Sequence, residues 1–400
     1  MQSVIKTTVL AGLLFAAPAV VYAQFDFTVD GLPVQVHSFL SQGFAYSNDN
    51  NYLTMNTSAG SFAFTDLGMN VSSQLTDKFR VGAQMYVRNI GKLGDWHPTL
   101  DWAFGDYKFA SWFGIRAGKV KTTLGLFNDT QDMEFLHTWA ILPQSAYPLD
   151  LRASTIAHVG GDAYGTIGMK KLGELAYTAY GGSRPYDPYG GYYLGVEAEG
   201  ISLTKDPGTQ VGGDLRWNNL LQGLVFGASY LHTDDTGVLG TMALGYGMSM
   251  PVKLVAVDNT TAYYAEYKTD KLTLDGEYRR EITAGTEGVG PLPPASFSLD
   301  ARGWYVSAAY RIWKRLELGA YDSQFVPLWG EAHSPADNHI YDRVVAAKFD
   351  VTRFWDVKLE GHFIDGYGSP YSFRGFYPQD NPTGFKPTTD MLVIRTGVFF

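Results

Sequence analysis

The sequence predicts an all-β fold: a transmembrane antiparallel β-barrel of about 16 strands whose third extracellular loop folds into the lumen. Three observations carry that prediction. The chain opens with a cleavable export signal and closes in a strand-length run ending on the aromatic Phe400, and the segments between alternate in polarity, with connections short and long in turn.

In residues 1–23 a lone Lys6 precedes an apolar run over 9–21, and Val21-Tyr22-Ala23 ahead of Gln24 supplies a small-x-small cleavage site. The run is shorter than the roughly 20 apolar residues of a membrane-spanning helix, so it reads as a signal peptide and leaves 24–400 as one barrel. Gly 45, Tyr 26 and Phe 24 against 18% charged residues favour strands and turns over helices. The chain has no cysteine, so an exported protein of this sequence depends on a large hydrogen-bonded sheet in place of disulfides. A net charge of −9 offers no basic footprint for nucleic acid, and it leaves pore selectivity to the local placement of charges.

The first strand is read over 34–46, followed by a polar loop through Asn48, Asp49, Asn50 and Asn51 and a return strand over 62–75. After the tight turn Thr76-Asp77-Lys78, residues 79–88 give the cleanest alternation, with Phe79, Val81, Ala83, Met85 and Val87 opposite Arg80, Gly82, Gln84, Tyr86 and Arg88. A strand over 99–109 places Leu100, Trp102 and Phe104 opposite Asp101, Ala103 and Gly105, and a turn leads into 114–121. The connection 122–154 is the third on its side and is rich in Leu, Phe, Trp, Tyr and Pro, which suits a folded insert that narrows the pore better than a disordered loop. Further strands are expected at 156–169, 174–181, 210–217, 224–232, 261–268, 272–280, 300–310, 316–323, 341–349, 357–364 and 391–400, with a Tyr/Gly/Pro-rich outer loop over 184–208. The second and sixth strands are the least defined, which leaves 14 or 18 open. Trp112, Trp313 and Trp355 lie at short turns, where an aromatic girdle at headgroup level would place them.

Faces follow from alternation. In the terminal run Leu392, Ile394, Thr396, Val398 and Phe400 share one face and Met391, Val393, Arg395, Gly397 and Phe399 the other. An arginine facing hydrocarbon at mid-depth costs about 2–4 kcal/mol, so Arg395 is assigned to the lumen. The same logic assigns Arg80, Gln84, Arg88, Asp101, Arg116, Lys358, Glu360 and His362 to the pore, with Asp275, Glu277 and Arg279 from one further strand. Each of these charges either tunes ion passage or pairs across strands to stiffen the wall; as a group their basic majority favours a mild anion preference. Lys119 and Lys121 stand at the entrance of the insert. Its acids Asp129, Asp132 and Glu134 either face Arg80, Arg88 and Arg116 and set a transverse field, or form a solvated acidic stretch. None of the eight histidines has a zinc-type neighbour pattern, and the sequence holds no Gly-x-Ser-x-Gly elbow or Walker-type loop, so neither a metal, a cofactor nor an enzymatic activity is expected.

The segments Val36 to Phe44 (VHSFLSQGF), Ser73 to Gln84 (SQLTDKFRVGAQ), Leu100 to Tyr107 (LDWAFGDY), Gly114 to Lys121 (GIRAGKVK), Gly125 to Asn128 (GLFN) and Lys358 to Phe363 (KLEGHF), together with Phe400, resemble Gram-negative outer-membrane porins of the group related to the phosphate-selective O and P type. The resemblance is strongest over 34–147 and thin over 184–294. It implies a 16-stranded barrel, commonly a homotrimer, with the third loop in the lumen, and a terminal aromatic read by the barrel insertion machinery. Phosphate selectivity in those relatives rests on a dense basic ladder and an arginine-rich constriction. Here the insert carries only Arg152, with Lys119 and Lys121 beside it, so that specificity is not carried over. The expectation is a passive channel for small hydrophilic solutes or anions, seated in outer-membrane lipid of a Gram-negative bacterium. The alternatives are a binding or adhesion barrel acting through long loops such as 184–208, and a soluble periplasmic β-protein whose outward faces would pack in a core.

Overall fold

The computed structural model describes residues 25–245, 247–368 and 374–400; the signal peptide read at 1–23 lies outside them. Among the described residues nineteen strands form one sheet. In chain order they are β1 (Phe25–Val29), β2 (Leu32–Ser47), β3 (Ser61–Thr76), β4 (Phe79–Ile90), β5 (Thr99–Ala110), β6 (Phe113–Lys121), β7 (Ala157–Gly168), β8 (Glu174–Ser183), β9 (Ile201–Lys205), β10 (Thr209–Asn218), β11 (Leu224–Asp234), β12 (Val238–Gly245), β13 (Met248–Lys268), β14 (Leu272–Val289), β15 (Ala295–Trp313), β16 (Leu316–Val326), β17 (Ile340–Thr352), β18 (Trp355–Asp365) and β19 (Thr388–Phe399). Sixteen of them close an antiparallel barrel, because β19 pairs back onto β2 with Arg395 opposite Gly43 and Phe399 opposite Phe39. Closure leaves the sixteen barrel strands without a free edge, the condition for a sheet in hydrocarbon. Among the described residues no helix is long and apolar enough to cross a membrane.

All sixteen expected strands are present, the second and sixth among them, and short turns at one end alternate with longer connections at the other. The three additional strands escaped the sequence reading. β1 forms a hairpin with the foot of β2, turned by Asp30 and Gly31 at φ 51° and 83°, the left-handed pair a two-residue Asp-Gly hairpin uses. β9 and β12 join the long arm of β13 above the outer rim. β13, β14 and β15 have 21, 18 and 19 residues, well past the 9–11 that cross a bilayer. They raise one side of the barrel mouth into a curtain. The loop read over 184–208 also contains a short helix, Gly191–Ala198.

The outer wall is apolar: Val306 and Val345 are 62% and 55% exposed, and Met69, Met85, Ile115, Val159, Leu215, Leu359, Phe363 and Ile394 are exposed around the circumference. In water such a continuous surface would drive association, whereas a bilayer matches it. The soluble alternative needs these faces packed in a core, and the wall leaves them outside. Trp112, Trp313 and Trp355 all stand exposed at the short-turn end.

One bulge corrects the sequence reading of faces. β4 pairs Gln84 with Trp102 and then Met85 with Leu100, so Asp101 is the extra residue. A one-residue insertion inverts the parity of the strand beyond it. Asp101 therefore faces the lumen as expected, but Trp102 and Phe104 face it too instead of lipid.

Candidate functional site

The third outer connection, 122–156, lies across the lumen and is fastened to the wall on every side. Its first arm meets the wall where Gly125 N donates to Ser229 Oγ (2.9 Å) and Leu126 N donates to Glu277 Oε2 (3.1 Å). Tyr147 donates to the same Glu277 carboxylate, and Arg279 donates to the Ala146 carbonyl. Farther round, Ser145 Oγ donates to Trp304 O at 3.1 Å, and Tyr321 OH reaches Ile141 O at 3.3 Å. Glu360 accepts from the amides of Ala140 (2.6 Å) and Ile141 (3.1 Å), Lys348 donates to Phe135 O (2.6 Å), and Arg395 Nη1 donates to Ala140 O (2.6 Å). Phe135 stacks on Phe399 with centroids 4.3 Å apart. A loop has few backbone partners of its own, and here wall side chains serve its buried amides and carbonyls.

This arrangement relocates several sequence-assigned residues. Lys358, Glu360 and His362 face inward but are 0%, 0% and 1% exposed, so they lie beneath the loop and do not border water. His362 bridges Asp342 (Nδ1 to Oδ2, 2.9 Å) and Glu360 (Nε2 to Oε2, 3.3 Å). Arg395 is likewise buried, ion-paired to Asp66, with its Nε and Nη2 donating to Ser41 Oγ at 3.0 and 2.8 Å. Of the loop acids, Asp132 pairs with Lys121 (2.7 Å) and accepts from Gln84 Nε2 (2.6 Å), and Glu134 pairs with Lys358. Neither faces Arg80, Arg88 or Arg116; only Asp129 shares a cavity with Arg80 and Arg116. Arg88 donates to Leu149 O at 2.7 Å and sits 3.6 Å from Asp187. Asp101 is held by both terminal nitrogens of Arg152, at 2.9 Å each, with Arg152 over the Tyr86 ring at 4.2 Å. Lys119 departs from the reading altogether. It pairs in register with Ala103 and Val159, outward-facing positions, and its amine donates to Leu100 O at 2.6 Å. Asp275 and Arg279 are buried on the inner face of β14 with Glu277.

Above the loop the lumen is filled. Leu53 and Met55 of the first outer loop, Ile141 of the third and Phe376 of the last pack with inward Phe64, Ile90, Phe325 and Val393 into one buried cluster. The sequence reading expected water there. Alternation marked Val393 as inward, but nothing local showed that distant loops would cover it.

Water-accessible space remains beneath the first arm of the loop. A cavity of about 350 Å³ is lined by Arg80, Trp102, Phe104, Arg116, Lys121 and Arg216, with Asp129, Met133 and Asp214. Arg116 forms a two-point pair with Asp162 at 2.9 and 2.6 Å. Arg216 donates to Tyr264 OH (3.0 Å) and Gly125 O (3.2 Å). Asp214, Arg216 and Asp162 were missed, although Val211, Leu215 and Trp217 alternate against Asp214 and Arg216 clearly enough to have assigned that pair.

His137 was also unassigned. It is buried in the loop, its Nε2 lies 3.1 Å from Thr130 O, and loss of water holds its imidazole down at about 4. Asp150 accepts from Gly375 N and Tyr377 OH, both at 2.9 Å, tying the third loop to the last, and burial pushes its carboxyl up to about 6.

No family model matches the chain, and no curated protein matches it. Solved structures do. The chain is similar to OmpT, an outer-membrane protein of Vibrio cholerae, with TM-score 0.59 at 12% identity over 94% of this chain and 100% of that one. It is similar to the outer-membrane channel DcaP of Acinetobacter baumannii (TM-score 0.54, 9% identity, 94% and 99% covered) and to an anion-selective porin from Comamonas acidovorans (0.53, 11%, 92% and 99%). At these identities the likeness is one of fold, and that fold is the closed 16-strand outer-membrane barrel.

Proposed function

We propose that this protein is an outer-membrane diffusion channel of a Gram-negative bacterium, passing small hydrophilic solutes or ions down their gradient with a mild preference for anions. The observation that carries the reading is the union of a lipid-matched outer wall with a water-accessible inner cavity bordered by Arg80, Arg116, Lys121 and Arg216. Cations on low-dielectric walls concentrate anions by focusing the field. The loop limits size, and the charges left at water bias the sign of what enters. A homotrimeric assembly follows from the family resemblance, and one solved form of the Vibrio cholerae OmpT is described as a trimer. Planar-bilayer recording tests the channel: discrete steps are expected, with a reversal potential under a salt gradient on the anion side. Folded protein that inserts without conducting would reject it.

A second reading, a binding barrel, draws support from the raised curtain. Leu239, Leu244, Met248 and Leu292 are exposed on its strands and turns, beyond the stretch that lipid covers. Retention of conductance after their joint replacement by Ser separates the two.

A further inference from the structure

The cavity beneath the loop joins cations to aromatic surface, and a passage for inorganic ions alone has no use for the second. The Asp101 bulge turns Trp102 and Phe104 inward together, their rings 5.3 Å apart. The guanidinium carbons of Arg80 and Arg116 lie 5.6 and 5.9 Å from the Phe104 centroid, so one ring is bordered by two cations. They differ in availability. Arg116 is committed to Asp162, whereas among the described residues no carboxylate lies within ion-pair distance of Arg80. Trp102 is only 9% exposed, and its Nε1–H has no hydrogen-bond partner among the described residues. A buried donor without an acceptor is destabilising, and an acceptor brought by a ligand would relieve it.

We propose that this cavity is a binding site for small aromatic carboxylates. This rests on the channel reading above and names the class of solute it favours. The carboxylate accepts from the planar fork of Arg80 and from Trp102 Nε1, while the ring lies against Phe104 and Met133. Its volume of about 350 Å³ accommodates a single ring with its substituents. Asp129 and Asp214 on the same lining repel a second negative charge, so monoanions are favoured over phosphate or dicarboxylates.

The test is chloride current across planar bilayers titrated with benzoate, acetate or benzyl alcohol. Benzoate reduces the current saturably at about a tenfold lower concentration than acetate, as burial of one ring predicts, and benzyl alcohol has no effect in that range. Arg80→Gln weakens block by both acids, and Phe104→Leu narrows the advantage of benzoate over acetate. Arg80 is water-exposed, so its variant tests the site even if Phe104→Leu fails to fold. Equal block by benzoate and acetate in the parent protein overturns the proposal and leaves the channel standing. Calorimetric binding of benzoate to detergent-folded protein that carries no current would do the reverse.

Discussion

Arg395 shows how a residue that is costly in one setting becomes structural in another. Its fork is satisfied by Asp66, Ser41 and the Ala140 carbonyl, and its charge lies over Phe64 at 4.7 Å. Removing one member strands the other, so Arg395→Met is expected to cost about 3–5 kcal/mol, and the double variant with Asp66→Leu to recover most of it. Unfolding of the detergent-folded barrel in guanidinium measures both. His137 carries a pH signature. Unfolded, it takes up a proton near its ordinary value of about 6.5; folded, it stays neutral down to about 4. Its contribution is therefore present above about pH 6.5 and is lost as pH falls toward 4. Against His137→Gln, the parent is expected to lose up to about 3 kcal/mol between pH 7 and 4, read from unfolding midpoints at intermediate pH. A difference independent of pH would contradict the buried neutral assignment.

The loop over 122–156 is the element whose character changed most between sequence and structure. Its length and its load of Leu, Phe, Trp, Tyr and Pro are what led to its reading as an insert inside the barrel. Its partners were not legible, because Glu360 and Lys358 lie 220 and 224 residues from the loop atoms they hold and no local pattern links them. The same limit explains the strand faces. Alternation runs unbroken through β19, so Arg395 does face inward, though beneath the loop and not at water, whereas one extra residue at Asp101 reversed Trp102 and Phe104 without altering the look of the segment. The anchoring also revises which arginines matter. Neutralising Arg80 and Arg116 together is expected to move the reversal potential toward cations; Arg88→Gln is expected to leave it unchanged and lower stability, since Arg88 holds Leu149. On the proposed channel reading, a loop tied at so many points would be a fixed constriction and not a gate. Ser145 and Ser323 touch, Oγ to Oγ 2.8 Å, so a disulfide between cysteines placed there is expected to leave conductance the same under oxidising and reducing conditions. A fall on oxidation would show that the loop moves.

For the whole molecule, the lipid-matched wall and closed sheet lead to an expected behaviour in detergent: extraction only with detergent, and an oligomer that resists dodecyl sulfate until heated, followed by gel mobility. A chain that partitions into buffer would refute the membrane assignment. The raised strands β13–β15 make the mouth asymmetric. Arg395 also bears on assembly kinetics. It joins the first barrel strand, the third loop and the last strand, reaching Ala140 and Ser41 across 255 and 354 residues of chain. Contacts of such separation form late. Docking of the loop and sealing of the seam therefore share one side chain, so loss of Arg395 is expected to loosen both at once.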